Sequence, residues 1–293
     1  MNPLLRRRLL AGLLLLASLP LAPRLSAGTT TDPVNRYAYG ANIGWTDWTG
    51  DTNHGAVIGN YICSGYIYAG NVGWINLGNG SPANGIRYQN NSATDFGINH
   101  DGLGNLRGFA YSPNIGWINF EATGNPTVDL RTGVLRGNLW SANCGWIPLT
   151  NAFGTLQTDS LSPGALDTNG LPVAWELSYF GHLGLNPSAD PTGKGMTIAQ
   201  DYVAGTNPND PTDTLRILTQ ALSADGLHAA LTWATVPTRA YYIEKATTLA
   251  PPNWTDSGLG LITPDGTATT RNLSDTGAAS RFYRVRAALP LGQ

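Results

Sequence analysis

Four copies of one short pattern, Asn-x-Gly-Trp, dominate the first half of the chain. The copies end at Trp45, Trp74, Trp117 and Trp146. An aromatic residue stands six positions before each of these tryptophans: Tyr39, Tyr68, Tyr111 and Trp140. Because Asn and Gly tolerate positive φ, the residues between each aromatic and its Trp predict a hairpin loop with a strand on either side. The two aromatic side chains of a copy are then expected to face each other across the hairpin.

The strand after each loop has two different faces. It reads Trp-Ile-Asn-Leu in the second copy and Trp-Ile-Asn-Phe in the third. Side chains alternate along a strand, so Trp and Asn share one face while the aliphatic residues share the other and supply a core. A flat apolar ring beside an amide suits the hydroxyls and apolar faces of a sugar. This pattern predicts a carbohydrate-binding surface formed by Tyr68, Trp74, Asn76, Tyr111, Trp117 and Asn119.

A competing interpretation is that the aromatic residues only fill space between repeats, as they do in propellers and barrels. Polar residues on the Trp side of the strand favour a surface, because a buried polar group is costly unless it is paired. In the first copy the aliphatic face is replaced by Thr46 and Trp48, as expected of a terminal repeat. We therefore expect Trp117, in an interior repeat, to be more buried than Trp45.

The first 27 residues resemble an export signal. Three arginines at positions 6–8 precede an apolar stretch over 9–21, and small residues near position 27 offer a cleavage site. The alternative, a membrane anchor, is less favoured because Pro20 and Pro23 interrupt a stretch already short for a bilayer-spanning helix. The chain is thus predicted to be secreted, extracellular or periplasmic, with no membrane span after signal removal.

Removal of this segment also changes the charge. It takes away four of the 17 basic residues and none of the 19 acidic ones, which leaves 13 against 19, a net charge of −6. Nucleic acid is excluded as a partner on this ground, since binding it needs a basic surface. The two cysteines, Cys63 and Cys144, form an even number in an exported chain, and we predict a disulfide between them. Two buried thiols are the alternative.

Residues 160–213 are rich in Asp, Asn, Pro and Gly, around two short helices predicted over 174–179 and 197–204. The sequence Asp-Thr-Asn-Gly-Leu-Pro-Val-Ala-Trp-Glu over 167–176, with Ala-Gly-Thr-Asn-Pro over 204–208, resembles the thrombospondin type 3-like calcium repeats of exported bacterial proteins. That resemblance implies calcium bound by oxygen ligands at alternating loop positions and by an acidic residue on the next helix. Asp167, Asn169 and Glu176 match such positions, whereas Ala165 and Val173 stand where acids are expected.

The second loop of this segment departs further from the pattern. Asp190 and Asp201 match ligand positions, but Lys194 occupies another. An ammonium group there repels a metal ion. We therefore predict a loop without metal, held by an ion pair of Lys194 with Asp190 or with Asp201.

Strand signals return over 214–288. The sequence around Trp233, the Tyr-Tyr-Ile-Glu-Lys run over 241–245 and the Arg-Phe-Tyr-Arg-Val run over 281–285 resemble a fibronectin type III-like β-sandwich. The whole chain is thus predicted to be mainly β. An antiparallel repeat domain over 28–155, built as a barrel, a sandwich or a propeller, precedes a short helical calcium-repeat-like linker over 160–213 and a sandwich over 214–288.

No pattern of catalytic residues accompanies these domains. The four histidines lack the spacing of a zinc site, and neither a nucleophile elbow nor a phosphate loop is found in the sequence. We predict a non-enzymatic binding or adhesion protein whose ligand is an extracellular polysaccharide or surface glycan. The alternative is a structural or assembly protein of the cell exterior whose aromatic repeats are core only.

Overall fold

The computed structural model describes residues 28–51, 53–224, 227–274 and 281–292, and over these the protein is mainly β. The predicted export signal, residues 1–27, lies outside the described residues. Within these ranges no helix is both long and apolar enough to cross a bilayer. The described residues form two compact units: residues 28–187 with 290–292, and residues 188–289. The division falls inside the segment over 160–213.

The first unit begins with strands and ends with a helix. Its strands are β1 (Thr31–Gly40), β2 (Gly44–Asp47), β3 (Val57–Ile58), β4 (Cys63–Ser64), β5 (Tyr66–Ala69), β6 (Gly73–Asn76), β7 (Ile98–His100), β8 (Leu106–Ser112), β9 (Gly116–Phe120), β10 (Thr127–Val128), β11 (Val134–Arg136), β12 (Asn138–Ser141), β13 (Gly145–Pro148) and β14 (Leu156–Thr158). Helix α1 (Val173–Phe180) starts after Pro172 and stops at Gly181, whose φ of 71° is the left-handed conformation usual at a helix C-terminus. A short 3₁₀ turn, Pro290–Gly292, also belongs to this unit.

Four hairpins make up most of the main sheet of this unit: β1/β2, β5/β6, β8/β9 and β12/β13. They lie side by side in chain order in a twelve-stranded antiparallel sheet that curls into a half-barrel. β14, β11 and β10 extend the sheet from the first half of β1, β7 pairs with β8, and β3 and β4 form a separate hairpin. β13 lies next to β1. Of the three predicted forms, the barrel is therefore the nearest.

The inner face of the curled sheet is the core, as the alternation predicts. Ile75, Ile118 and Ile147, from three different hairpins, are buried, and so are Thr46 and Trp48 of the first. Together these side chains line one interior cavity of about 10 Å³. A cavity of this size holds at most about one water molecule, so it offers no room for a ligand.

The second unit contains helix α2 (Ile198–Ala204) and two three-stranded antiparallel sheets. The strands are β15 (Ile217–Leu222), β16 (His228–Ala234), β17 (Ala240–Ala246), β18 (Thr255–Asp256), β19 (Ala268–Ser274) and β20 (Phe282–Ala288), in the orders β15-β16-β19 and β18-β17-β20. Trp233 and Tyr241, one from each sheet, are fully buried in a shared core. α2 begins with a capping box, in which Thr197 and Gln200 each accept from the backbone N–H of the other.

The predicted disulfide is wrong: Cys63 and Cys144 are both buried and neither is bonded. Cys63 lies on β4, in the small separate hairpin, while Cys144 lies in the loop between β12 and β13. In that loop Cys144 takes the position that Ile43, Val72 and Ile115 hold in the other three, and all four side chains are buried. Both cysteines thus act as small apolar side chains, and burial raises the pKa of the Cys63 thiol to about 12.

Candidate functional site

The outer surface of the curled sheet carries four aromatic clusters, one on each hairpin. The register pairs Tyr39 with Trp45, Tyr68 with Trp74, Tyr111 with Trp117 and Trp140 with Trp146. The ring centroids of these pairs lie 4.9–5.3 Å apart, and the planes are tilted or edge-to-face. The prediction that the two aromatics of each copy face each other is therefore confirmed.

Further aromatic rings enlarge three of the clusters. Tyr37, Tyr66 and Phe109 each lie two residues before the paired aromatic and contact the tryptophan edge-on, with centroids 6.1–6.5 Å apart. Phe96, from the loop before β7, packs on Trp117 at 5.0 Å, and Phe153 packs on Tyr39 at 5.4 Å. The sequence shows the first three of these rings, since each stands two residues before a paired aromatic. Phe96 and Phe153 have no such spacing and become neighbours of the clusters only in the folded chain.

The tryptophans of the clusters are exposed to similar extents. Trp45, Trp74, Trp117 and Trp146 expose 48, 44, 46 and 46% of their surface. Trp117 is thus only marginally more buried than Trp45, and the clear difference expected between an interior and a terminal repeat is not found. The sheet curls until the last hairpin reaches the first, so the first hairpin has a neighbour on both sides. The first hairpin therefore differs from the terminal repeat of a linear array, which has one neighbour only.

Polar side chains lie directly beside the aromatic of the following hairpin. The strand register places Asp47 opposite Tyr68, Asn76 opposite Tyr111 and Asn119 opposite Trp140. Directly opposite residues on one face of a sheet have Cβ atoms about 5 Å apart. Tyr68, Trp74 and Asn76 are thus one hairpin's contribution, and Tyr111, Trp117 and Asn119 are the next. The site residues predicted from the sequence share the outer face of adjoining strands.

Local hydrogen bonds orient these polar groups. Asn76 Oδ1 accepts from the Gly78 N–H at 2.8 Å, and Asn119 Nδ2 donates to Glu121 Oε2 at 3.1 Å. Asp47 Oδ1 accepts from both the N–H and the hydroxyl of Thr49. In the fourth hairpin the equivalent residue is Pro148, which has no polar side chain. In three of the four hairpins, the second residue after the Trp therefore carries an oriented hydrogen-bonding group next to an aromatic ring.

The side-chain amides of three Asn-x-Gly-Trp asparagines connect neighbouring loops. Nδ2 of Asn114 donates to the Val72 carbonyl at 2.9 Å, and Nδ2 of Asn143 donates to the Ile115 carbonyl at 3.1 Å. Each bond joins a loop to the loop before it. Nδ2 of Asn42 continues the series to the Cys144 carbonyl at 2.8 Å, from the first loop to the last. The fourth junction uses the Asn71 backbone N–H, which donates to the Ile43 carbonyl at 3.1 Å.

Each hairpin also needs the glycine of its loop and a small residue directly after its first aromatic. The four loop glycines have φ between 70° and 77°, where a Cβ is unfavourable. The positions after the first aromatic hold Gly40, Ala69, Ser112 and Ser141, all buried. A Cβ on Gly40 would lie 3.0 Å from Cγ1 of Ile43, the buried residue of its own loop. This small-residue position was visible in the sequence, but its reason is a tertiary contact.

The loop before α1 and the helix itself bring together the three predicted calcium ligands. Nδ2 of Asn169 donates to Glu176 Oε1 at 2.7 Å, and the Gly184 N–H donates to Asp167 Oδ2 at 2.9 Å. Glu176 is fully buried, and its Oε2 atom has no hydrogen-bond partner. Within the described residues, no three His, Cys, Asp or Glu side chains cluster in a way that could hold a metal ion. The calcium site stays a prediction.

In the second unit, Lys194 is buried in a cage of oxygen atoms. Its Nζ lies 2.9 Å from Asp201 Oδ1 and donates to the backbone carbonyls of Asn207, Asp210 and Asp213 at 2.6, 3.2 and 2.9 Å. The ion pair predicted for this loop is thus formed with Asp201. Asp190 instead accepts from the backbone N–H groups of Lys194 and Gly195. The Lys194 ammonium group is thus surrounded by carboxylate and carbonyl oxygens, which are the ligands that a hard cation such as calcium takes.

One buried histidine belongs to the first unit. Nδ1 of His100, on β7, lies 2.8 Å from the Gly59 carbonyl, and Nε2 accepts from the Gly104 N–H at 3.0 Å. These partners assign the proton to Nδ1, since a carbonyl can only accept. Burial lowers the pKa of His100 from its ordinary value of 6.5. The imidazole is a neutral link between two loops, without the exposure that a catalytic base requires.

Comparison of the chain with protein-family models, with curated proteins and with solved structures found no match. The resemblances to thrombospondin type 3-like repeats and to a fibronectin type III-like sandwich therefore stay predictions. The site is defined by its own geometry: exposed aromatic clusters on a rigid sheet, flanked by oriented amide and carboxylate groups.

Proposed function

We propose that the protein is a secreted, non-enzymatic binding or adhesion protein that holds carbohydrate on the aromatic clusters of the curled sheet. The observation that carries the proposal is the register of Asn76 beside Tyr111 and of Asn119 beside Trp140. An aromatic ring packs against the apolar face of a sugar, and a neighbouring amide offers both a donor and an acceptor to its hydroxyl groups. The outer face of the sheet offers an aromatic ring and an amide side by side.

The packing of the sheet supports a role for the clusters beyond stability. The inner face already buries an apolar core that includes Ile75 and Ile118, and the tryptophans of the outer face keep more than a third of their surface in solvent. Contiguous exposed apolar surface of this kind is typical of interaction sites. The competing function is a structural or assembly protein of the cell exterior, in which the clusters only stabilise the hairpins.

Affinity electrophoresis of the mature protein separates the two functions. The gels contain hydroxyethylcellulose, xylan or mannan, so that several linkages and sugars are sampled. We expect retardation of the wild type on at least one polymer, and weaker retardation of Trp74→Ala and of Trp117→Ala. Trp254→Ala is the matched control, since Trp254 is a partly exposed tryptophan of the second unit that stacks under Arg284. Migration of the wild type that is unchanged on every polymer contradicts the carbohydrate proposal.

A second proposal concerns calcium at the loop that precedes α1. The observation that favours it is the buried Oε2 atom of Glu176, which lacks a partner and belongs to a carboxylate beside Asn169 and Asp167. An orphaned buried carboxylate oxygen is costly, and a divalent cation would satisfy it. Oδ1 of Asn169 already accepts from the Leu171 N–H, so the side chains supply few free oxygens and binding is weak.

Thermal unfolding with added CaCl₂ or MgCl₂ tests this site. Millimolar calcium is expected to raise the melting temperature of the wild type, and magnesium to raise it less. Glu176→Gln keeps the size of the side chain and is expected to abolish the calcium effect. Asp190→Asn, in the loop that contains Lys194, is the control and is expected to retain it. A calcium response that survives Glu176→Gln places the ion elsewhere.

A further inference from the structure

The four aromatic clusters face in different directions. Thr46, Ile75, Ile118 and Ile147 come from the four hairpins and line the same interior cavity. Successive side chains of a strand point to opposite faces of a sheet, so the tryptophans next to these residues point away from that common centre. Four strand faces that share a centre on the inside diverge on the outside. One straight polymer segment therefore cannot lie on all four clusters.

The angles between the clusters are held by the scaffold. The hydrogen bonds from the side chains of Asn114, Asn143 and Asn42 and from the Asn71 backbone N–H to the carbonyls of neighbouring loops fix each hairpin tip to the next. The interior cavity that the four hairpins share is only about 10 Å³, and a closely packed core resists rearrangement. The sheet cannot flatten to bring its clusters onto one surface without breaking both sets of contacts.

We infer that this domain bridges separate polysaccharide chains, with different clusters bound to different chains. The inference rests on the proposed carbohydrate function and specifies its consequence, a cross-linking activity. Three clusters have a polar side chain of the preceding hairpin in register with an aromatic ring, so more than one site per protein is available. Binding at several sites on one rigid body raises the overall avidity without a new contact.

Static light scattering of the mature protein mixed with the polymer that retards it in the gel tests the bridging. Scattering is expected to rise as protein is added, pass through a maximum and fall again when excess protein covers every polymer site singly. A protein that occupies only one chain at a time gives no maximum, and this result overturns the inference while the retardation in the gel still stands. Absence of any retardation overturns the binding proposal and the inference together.

The number of oligosaccharide molecules bound per wild-type protein is a second test of bridging. Titration calorimetry with a short oligosaccharide prepared from the same polymer is expected to give more than one molecule bound per protein. One molecule per protein contradicts bridging. A variant with Trp45, Trp117 and Trp146 changed to Ala retains only the cluster of Trp74, and it is expected to be retarded in the gel without raising the scattering. Retention of the scattering maximum in this folded variant also contradicts the inference.

Discussion

The side-chain amide of Asn42 donates a hydrogen bond to the carbonyl of Cys144, 102 residues away in the chain, at 2.8 Å. This contact joins the first Asn-x-Gly-Trp loop to the last and closes the series of four loops into a ring above the half-barrel sheet. The x residue of each loop points inward and is buried, the Gly permits the turn, and the Trp remains outside. The four residues of the repeat therefore have four different roles: Asn connects loops, x belongs to the core, Gly permits the turn and Trp forms the outer surface.

Loss of a loop junction is expected to destabilise the first unit by a modest amount. Asn42→Ala and Asn114→Ala each remove one hydrogen bond and leave a carbonyl without its donor, which costs about 1–3 kcal/mol. Urea unfolding measures the change. Asn91→Ala, at an exposed position, is the control and is expected to stay within about 0.5 kcal/mol of the wild type. Equal stability of all three variants would show that the ring is not held by these amides.

Gly116→Ala isolates the cost of the left-handed backbone. Gly116 has φ of 72°, and a Cβ added there meets no atom within 4 Å, so packing contributes nothing to the change. We expect a loss of about 1–2 kcal/mol from the unfavourable conformation of an L-residue. Gly116→Asn is expected to lose less, since Asn adopts this conformation more readily. The opposite order of the two variants in urea unfolding contradicts this explanation.

Stability is expected to fall as the solution is acidified through the range in which unfolded His100 titrates. The unfolded side chain has an ordinary pKa of 6.5, and burial lowers the pKa in the fold. Between those two values the unfolded chain binds more protons, so the stability present above pH 6.5 is lost as the pH falls through this interval. His100→Gln is expected to remove that part of the pH dependence of urea unfolding. His182→Gln, an exposed residue, is expected to retain it.

The cysteines are expected to behave as two inert thiols. Reductant is predicted to leave the melting temperature unchanged, since Cys63 and Cys144 are not bonded. A thiol reagent is predicted to react with both only in denaturant, because the thiolate is the reactive form and burial raises the pKa of Cys63 to about 12. A mass two hydrogens below that of the reduced chain would show a disulfide and contradict this assignment.

Lys194→Met is expected to destabilise the second unit strongly. The substitution leaves the buried carboxylate of Asp201 without its cation, and breaking a buried pair in this way costs about 3–5 kcal/mol. Lys194→Met combined with Asp201→Asn is expected to recover part of the loss, since no charge is then left unpaired. Lys245→Met is the control, because Lys245 is only partly buried. Urea unfolding of the wild type, the single variants Lys194→Met and Asp201→Asn, and the double variant gives the coupling between the two residues.

Trp74→Ala and Trp117→Ala are expected to reduce stability by about 1–3 kcal/mol, less than the 3–5 kcal/mol typical of a fully buried aromatic. Both side chains are nearly half exposed, but each contacts at least two other rings, and such pairs contribute about 0.5–1.5 kcal/mol each. A loss as large as that of a core residue would favour the purely structural role. Urea unfolding beside the gel assay distinguishes the two roles.

Local pattern was enough to predict the hairpins, the facing aromatics and the buried aliphatic face. Each of these follows from the period of two along a strand and from the conformations open to Asn and Gly, over fewer than ten residues. The two helices, predicted over 174–179 and 197–204, are found at Val173–Phe180 and Ile198–Ala204, since Pro172 and the Thr197 capping box fix their starts and a glycine ends each.

Only the tertiary structure decided what joins these elements. The partner of Asn42, the position of Asn76 beside the next hairpin's Tyr111, and the choice of Asp201 over Asp190 by Lys194 each depend on contacts between elements. A one-dimensional pattern shows which face a side chain takes and not which distant group meets it there. For the same reason the even number of cysteines predicted a bond that the fold does not make: Cys144 is the buried residue of a loop, and Cys63 lies on another hairpin.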